Sequence, residues 1–256
     1  MAATPNPDYS YDHRVEEAVA ASVAGWDFSW LRGRTTSTDL PWSYPDLARD
    51  AIRSATSLLD LDTGGGEQLS DLQPLPPITA ATEAWPPNVA VAHSRLAALG
   101  VDVRQQTGAR LPAGDAEFDL ILSRHGTFDP AEFWRVLSPD GVVLTQQVGA
   151  ENDLELNHIL GAPVADVPRT PEFGDSVAQL ERVGFTILTA REAHPAYAFH
   201  DIGAVVYQLR MVPWQIPDFD IDRYDQQLRQ LHNKIQRDGP FTTHNHRFLI
   251  RAAKPA

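Results

Sequence analysis

A chain of 256 residues fills one generous α/β domain or two small ones, and its 43% hydrophobic and 21% charged residues can bury a sizeable core. Lys plus Arg number 21 against 34 Asp plus Glu, a net charge of −13 with no basic run, so a phosphate backbone is a disfavoured partner. Cysteine is absent, which excludes disulfides, thiolate-bound zinc, iron–sulfur clusters and a thiolate nucleophile.

Residues 1 to about 57 read as a helical cap with aromatic-rich loops. The first ten, Met1 to Ser10, lack the basic start and apolar core of a signal peptide. No stretch of 18 apolar residues predicts a membrane span, so a soluble, cytoplasmic protein is expected. A helix is predicted over Arg14–Ala24, stopped by Gly25. A second, ending near Ser57, follows from the spacing of Tyr44, Leu47, Ala48, Ala51, Ile52 and Ala55, with Pro45 in its first turn. Between them lie Trp26, Phe28, Trp30, Trp42 and Tyr44, of which Trp42 and Tyr44 are candidates for closing a pocket.

From Leu58 strands alternate with helices. Strands are predicted at Leu58–Asp62, Ile78–Glu83, Val101–Arg104, Phe118–Ser123 and Val142–Val148. A helix opened by Pro86-Pro87 stops at Gly100. Another carries Phe133, Val136 and Leu137, and the turn Ser138–Gly141 precedes the fifth strand. The Phe118–Ser123 run is apolar enough to be buried on both faces. Such alternation predicts a parallel sheet wrapped by helices. Further on, Val177–Val183 reads as a helix and Phe185–Leu188 as a strand. A Pro- and aromatic-rich insertion follows, then a helix lined by Tyr224, Leu228, Leu231 and Ile235, and a closing strand His246–Arg251.

Thr63-Gly-Gly-Gly66 joins the first strand of this region to its helix. Such a turn cradles phosphate or approaches a nucleoside. Counted from Gly64 as Gly-x-Gly-x-x-Leu69, it lacks the small third residue of a dinucleotide fingerprint. Glu83, ending the second strand, suits ribose hydroxyls under either reading, so the turn alone does not choose.

The wider pattern does. Leu58-Leu-Asp-Leu-Asp-Thr-Gly-Gly-Gly-Glu67, Ala81-Thr-Glu-Ala-Trp85, Ala109-Arg-Leu-Pro112 before Phe118-Asp-Leu-Ile-Leu122, and Phe133-Trp-Arg-Val-Leu-Ser-Pro-Asp-Gly141 together resemble class I S-adenosylmethionine-dependent methyltransferases, over about Leu58 to Val148. The resemblance implies a Rossmann-like sheet, mostly parallel with an antiparallel last strand, helices on both faces and a helical N-terminal cap. It implies a cap over 1–57 and a methyltransferase domain over 58–256 with an insertion at about 190–220.

The resemblance also assigns residues to S-adenosyl-L-methionine, whose product is S-adenosyl-L-homocysteine. Asp60, Gly64 and Gly66 match the acid and glycines of the first motif, and Asp62 stands where the family commonly has its first glycine. Glu83 matches the ribose acid, with Ala84 and Trp85 beside it towards adenine. Ala109, Arg110 and Leu111 match the adenine loop, and Ser123 and Arg124 follow strand four, where cofactor and substrate meet.

Methyl transfer needs alignment, exclusion of water and, for some acceptors, a base. His125 directly follows strand four and is the first candidate; His158, after strand five, is the second. Ser123-Arg-His-Gly126 replaces the Asn/Asp-Pro-Pro-aromatic motif that marks amino-methylating nucleic-acid enzymes. A small-molecule substrate methylated on O or N is therefore expected. The alternatives are a non-catalytic cofactor-binding protein and an RNA or protein methyltransferase; a nicotinamide oxidoreductase is disfavoured by Leu69. His244 and His246 fall two apart on one predicted strand face without a third ligand nearby in sequence, so no metal is expected.

Overall fold

A computed structural model describes residues 10–23, 27–164 and 172–256. In chain order the helices and strands begin with α1 (Tyr11–Ala20), β1 (Thr35–Ser37), α2 (Tyr44–Ile52), β2 (Ser57–Leu61) and α3 (Glu67–Ser70). Then come β3 (Ile78–Glu83), α4 (Pro86–Leu96), β4 (Asp102–Gln105), β5 (Phe118–Arg124), α5 (Pro130–Val136), β6 (Leu137–Val148) and α6 (Leu154–Leu160). The chain closes with α7 (Phe173–Val183), β7 (Thr186–Ala193), β8 (Ala196–Phe199), α8 (Ile202–Met211), α9 (Asp225–Asp238), β9 (Phe241–His244) and β10 (Arg247–Ala253).

These elements form two compact units. The first comprises the described parts of Met1–Asp39, Glu151–Arg169 and His194–His246; the second comprises those of Leu40–Ala150, Thr170–Ala193 and Arg247–Ala256. Unit 2 holds a seven-stranded sheet of order β4-β3-β2-β5-β6-β10-β7. Strands β2 to β6 pair in parallel, and β10 runs antiparallel to both β6 and β7. Leu58, Leu59, Leu120, Ile121, Leu122 and Val143 are almost wholly buried, the reason these strands read as unbroken apolar runs. One apolar cluster joins Leu58, Leu120 and Leu144 to α2 and α4. Another joins Leu59, Ile121 and Phe248 to α5 and α7. The Rossmann-like sheet with its antiparallel last strand is thus present.

The boundary expected at residue 57 falls inside unit 2, because Tyr44, Ala48, Ala51 and Ile52 of α2 pack in the same cluster as Leu58 and Leu249. Ser43 caps this helix by accepting the Asp46 N–H, and Pro45 occupies its first turn. The turn expected at Ser138–Gly141 is instead a bulge within β6. Its register against β5 shifts between Phe118 and Leu120, and Asp140 turns left-handed.

Unit 1 is not purely helical. Strands β1, β8 and β9 form a three-stranded antiparallel sheet, and α8, buried nearly all round, is the centre of its core with Leu156, Leu160, Leu228 and Leu231. Helix α1 begins at Tyr11 because Ser10 caps it, and it ends at Ala20; the expected stop at Gly25, and Trp26 beside it, lie outside the described residues. Among the described residues no helix is long and apolar enough to cross a membrane.

Candidate active site

In an open parallel sheet the chain leaves each strand at its carboxyl end, and loops from several strands gather there. In unit 2 this edge is built by the loops after β2, β3, β4 and β5. Leu61 pairs with Ser123, and Glu83 with Gln105, so the four loops begin at matched heights.

The turn after β2 is held from beneath. Thr63 N–H donates to Thr82 O, Asp62 N–H to Thr82 Oγ1, and Gly66 N–H to Thr63 O. Gly64 and Gly66 both take left-handed φ, at 63° and 80°, a region that glycine enters without steric cost. Their surroundings differ. A Cβ on Gly66 would meet Leu96 Cγ of α4 at 2.8 Å, so this glycine lets the turn seat against the helix. A Cβ on Gly64 would meet nothing within 4 Å, which leaves an open face above the turn.

Glu83 binds this turn to the next strand. Gly64 N–H donates to its Oε2 at 2.9 Å and Trp85 N–H to its Oε1 at 2.8 Å. The carboxylate is 7% exposed, and each oxygen retains a second lone pair for a further donor. Ala84 and Trp85 follow on the surface, the indole 51% exposed. Gln106, immediately after β4, donates its backbone N–H to Glu83 O. Its side-chain Nε2 donates to Gly108 O, while Oε1 is buried and has no partner. Ala109 and Arg110 are exposed, Arg110 lying 3.5 Å from Asp115, whereas Leu111 is buried with its N–H donating to Glu132.

Two acids stand at the end of β2. The surrounding protein desolvates the Asp60 carboxyl and pushes its pKa up to about 7. The Thr63 hydroxyl nearby offsets part of that rise, and the charge of Asp62 adds to it. Asp62 itself adopts φ 51°, a left-handed conformation that Asp tolerates. Its Oδ2 accepts the Thr127 N–H at 2.5 Å, and a Cβ on Gly126 would strike the same carboxylate. Asp62 therefore ties the β2 turn to the loop after β5.

That second loop carries Ser123, Arg124 and His125. Ser123 is buried and receives a hydrogen bond from Gln147; Arg124 is exposed and donates to Gln68 of α3. His125 takes φ 57°, donates its backbone N–H to Gln146 O, and places Nε2 at 3.1 Å from Gln146 Nε2. Gln146 Oε1 accepts the Trp42 indole N–H at 2.8 Å. Desolvation by the protein around it, with the positive charges of Arg247 and Arg124, holds His125 below the usual histidine range, although the ring still reaches solvent.

The structure thus brings together Asp60, Asp62, Gly64, Gly66, Glu83, Trp85, Ser123, Arg124 and His125 along adjoining strand ends. Trp42 and Tyr44, expected as a lid, are 9% and 4% exposed and belong to the core under α2. His158 is exposed on α6 in unit 1. Sequence reasoning passed over Gln106 and Gln146; the signal for the second was a pair of amides, Gln146-Gln147, ending an otherwise apolar buried strand.

Residues 59–145 match the methyltransferase domain family. The fold is similar to that of BH2331 of Bacillus halodurans C-125, named as a candidate methyltransferase, at 20% identity and TM-score 0.61 over 84% of this chain and 100% of that one. It is also similar to YcgJ of Bacillus subtilis, at 20% identity and TM-score 0.57, covering 83% and 98% of the two chains. The [4+2]-cyclase SpnF shares the fold at 15% identity and TM-score 0.54, over 97% and 94%. No curated protein sequence matches. Over residues 59–145 the chain thus matches the methyltransferase domain family, and the sheet those residues help to build is the Rossmann-like one expected of it.

Proposed function

We propose that this protein transfers a methyl group from S-adenosyl-L-methionine to an oxygen or nitrogen of a small-molecule metabolite in the cytoplasm. The observation that carries the cofactor half is the Glu83 carboxylate, fixed by the Gly64 and Trp85 amides beside a glycine whose outer face is open. The buried Gln106 Oε1, an acceptor without a donor, fits the exocyclic amine of an adenine. When bound, the cofactor would supply a methyl on a sulfonium for in-line displacement by the acceptor atom, leaving S-adenosyl-L-homocysteine, with the acceptor's proton passing to solvent.

The chain's own residues divide the remaining work. Glu83 accepts the ribose hydroxyls through its spare lone pairs, and the exposed Trp85 ring offers a face for the base. Asp60, or its neighbour Asp62, balances the positive charge of the methionine portion. Trp42 and Gln146 hold His125 at the strand-β5 loop with Nε2 already accepting a hydrogen bond, so Nδ1 carries the proton of the neutral ring. His125 then donates a hydrogen bond through Nδ1 to orient the acceptor, a role its depressed pKa favours over proton abstraction.

The small-molecule half rests on the net charge of −13 and on Ser123-Arg-His-Gly126 at the strand-four loop. Calorimetry with S-adenosylhomocysteine tests the cofactor assignment; a folded protein that fails to bind it sinks the reading. Transfer of labelled methyl to a metabolite panel, set against tRNA and protein acceptors, tests the substrate class. Cofactor binding with no transfer to any acceptor returns the chain to the non-catalytic alternative, a use of the fold that its likeness to a cyclase makes worth measuring.

A further inference from the structure

His244 and His246 do not share a strand face. His244 ends β9, where Nδ1 lies 2.7 Å from Glu155 Oε1, while His246 stands in the two-residue link before β10. There His246 meets residues remote in sequence. Its ring stacks on that of His194 with centroids 4.5 Å apart, and its Nδ1 accepts the Glu151 backbone N–H at 3.1 Å. Glu151 Oε2 in turn lies 3.0 Å from His194 Nε2. One ligand-type atom from each of the three residues falls within 4.8 Å of the other two.

We propose that Glu151, His194 and His246 form a binding site for a divalent cation of the zinc class, independent of methyl transfer. Two imidazoles and one carboxylate are a borderline donor set, which zinc, cobalt and nickel prefer and which the oxygen-seeking magnesium and calcium do not. Bond lengths of about 2.0–2.2 Å to such an ion put tetrahedral ligands roughly 3.3 Å apart, so the three must close by up to about 1.5 Å. The distribution of burial allows it. His246, 3% exposed, is the fixed ligand, its backbone N–H held by Asn152 Oδ1. The side chains of Glu151 and His194 are 66% and 40% exposed and can swing inwards. The ion takes the His246 Nδ1 lone pair in place of the Glu151 amide, and it replaces the Glu151–His194 hydrogen bond.

All three residues belong to unit 1, and each marks a passage of the chain into or out of it. Glu151 opens the second segment of that unit, His194 opens the third and His246 closes it. An ion held there cross-links three strand-flanking segments that are separated in sequence. Its effect is stabilisation by a ligand that binds only the folded state. A chain without cysteine offers no thiolate that competes for the metal.

The test is calorimetry of the untagged, chelator-stripped full chain with zinc chloride, repeated with magnesium chloride, alongside visible spectra of the cobalt form. One zinc per chain, no magnesium binding, intense visible cobalt bands and a rise in Tm of several degrees are expected. Glu151→Gln and His194→Ala change exposed side chains, so they carry the test should His246→Asn fail to fold. Each is expected to weaken zinc at least about tenfold. Absence of zinc binding overturns the proposal. So does binding that survives unchanged in the Glu151→Gln/His194→Ala double variant, the result given by zinc held on other surface histidines.

Discussion

Gln146 Nε2 lies 3.1 Å from His125 Nε2, and Trp42 decides which way the proton runs between them. An indole N–H can only donate, so Gln146 must present its carbonyl oxygen to Trp42 and its amide nitrogen to the histidine. That nitrogen can only donate as well, which leaves His125 Nε2 as acceptor and fixes the tautomer. A protonated ring would face an amide N–H with an N–H of its own. The hydrogen-bond chain therefore adds to the desolvation and to the charges of Arg247 and Arg124 in keeping His125 neutral.

A pH titration of His125 by NMR is expected to show it neutral down to well below pH 6, and the rate profile to lack a limb near the ordinary histidine value of about 6.5. The sign for stability follows. The unfolded chain binds this proton and the folded one does not, so the contribution is complete above about pH 6.5 and is lost as pH falls below it. Gln146→Glu supplies an acceptor and reverses the preference, raising the His125 pKa by about 1–3 units. An unshifted His125 in the wild type overturns the argument.

Glu83 has a double duty, and its variants separate the parts. Glu83→Ala removes the acceptor of two backbone N–H groups and the proposed ribose contact together. Affinity for S-adenosylhomocysteine is expected to fall tenfold or more, and stability by about 1–3 kcal/mol, the range for unsatisfied buried donors. Glu83→Gln keeps the shape but leaves only one oxygen to serve both amides, so it should fall between. Calorimetry and chemical denaturation on the same samples check both; a stable, fully binding Glu83→Ala removes Glu83 from the site.

What could be read from the sequence follows from how each part is buried. Strands β2, β3 and β5 lie inside a parallel sheet, so their apolar runs and the turns that end them announced the fold. Gly64 and Glu83 stood out because each follows or ends a recognisable strand, and the pairing of those strands joins residues 19 apart. The three-stranded sheet of unit 1 gave no such signal. Thr35–Ser37 pairs with Tyr197–Phe199 across some 160 residues, in strands too short and too polar to show a period. Trp42 looked like a lid because exposed-aromatic and core-aromatic segments read alike; its partner Gln146 is 104 residues away. His244 and His246 have the spacing of one strand face, but the break between β9 and β10 sends them to different acids.

The two turn glycines are expected to respond oppositely. Gly64→Ala meets no neighbour, so it carries only the cost of a side chain at φ 63°, about 1–2 kcal/mol, and the protein folds. Its methyl occupies the open face, and cofactor affinity falls. Gly66→Ala drives a methyl into Leu96 and destabilises by more than this strain alone, while Gly66→Ala/Leu96→Ala recovers part of the loss. Equal loss of stability from both single variants would count against the division of roles.

Under the proposed cofactor site, Asp60 couples binding to a proton. Its carboxyl, pushed up to about 7, is partly protonated near neutrality in the free protein. The unfolded chain loses this proton near pH 4, the folded one near 7. Between those values the native state binds more protons, so stability falls as pH rises, by on the order of 4 kcal/mol across the window. Asp60→Asn removes the charge and should flatten that slope, leaving the variant the more stable of the two at pH 8. The cofactor's methionine portion is cationic, and a positive charge brought near Asp60 lowers its pKa. Binding at pH 7 should then release a fraction of a proton. Calorimetry in two buffers of different ionisation enthalpy measures that number directly, and repeating it with Asp60→Asn assigns it. A wild-type enzyme that releases no proton at pH 7 places the Asp60 carboxylate away from the cofactor's charge, whereas release that persists in Asp60→Asn moves the coupling to another group.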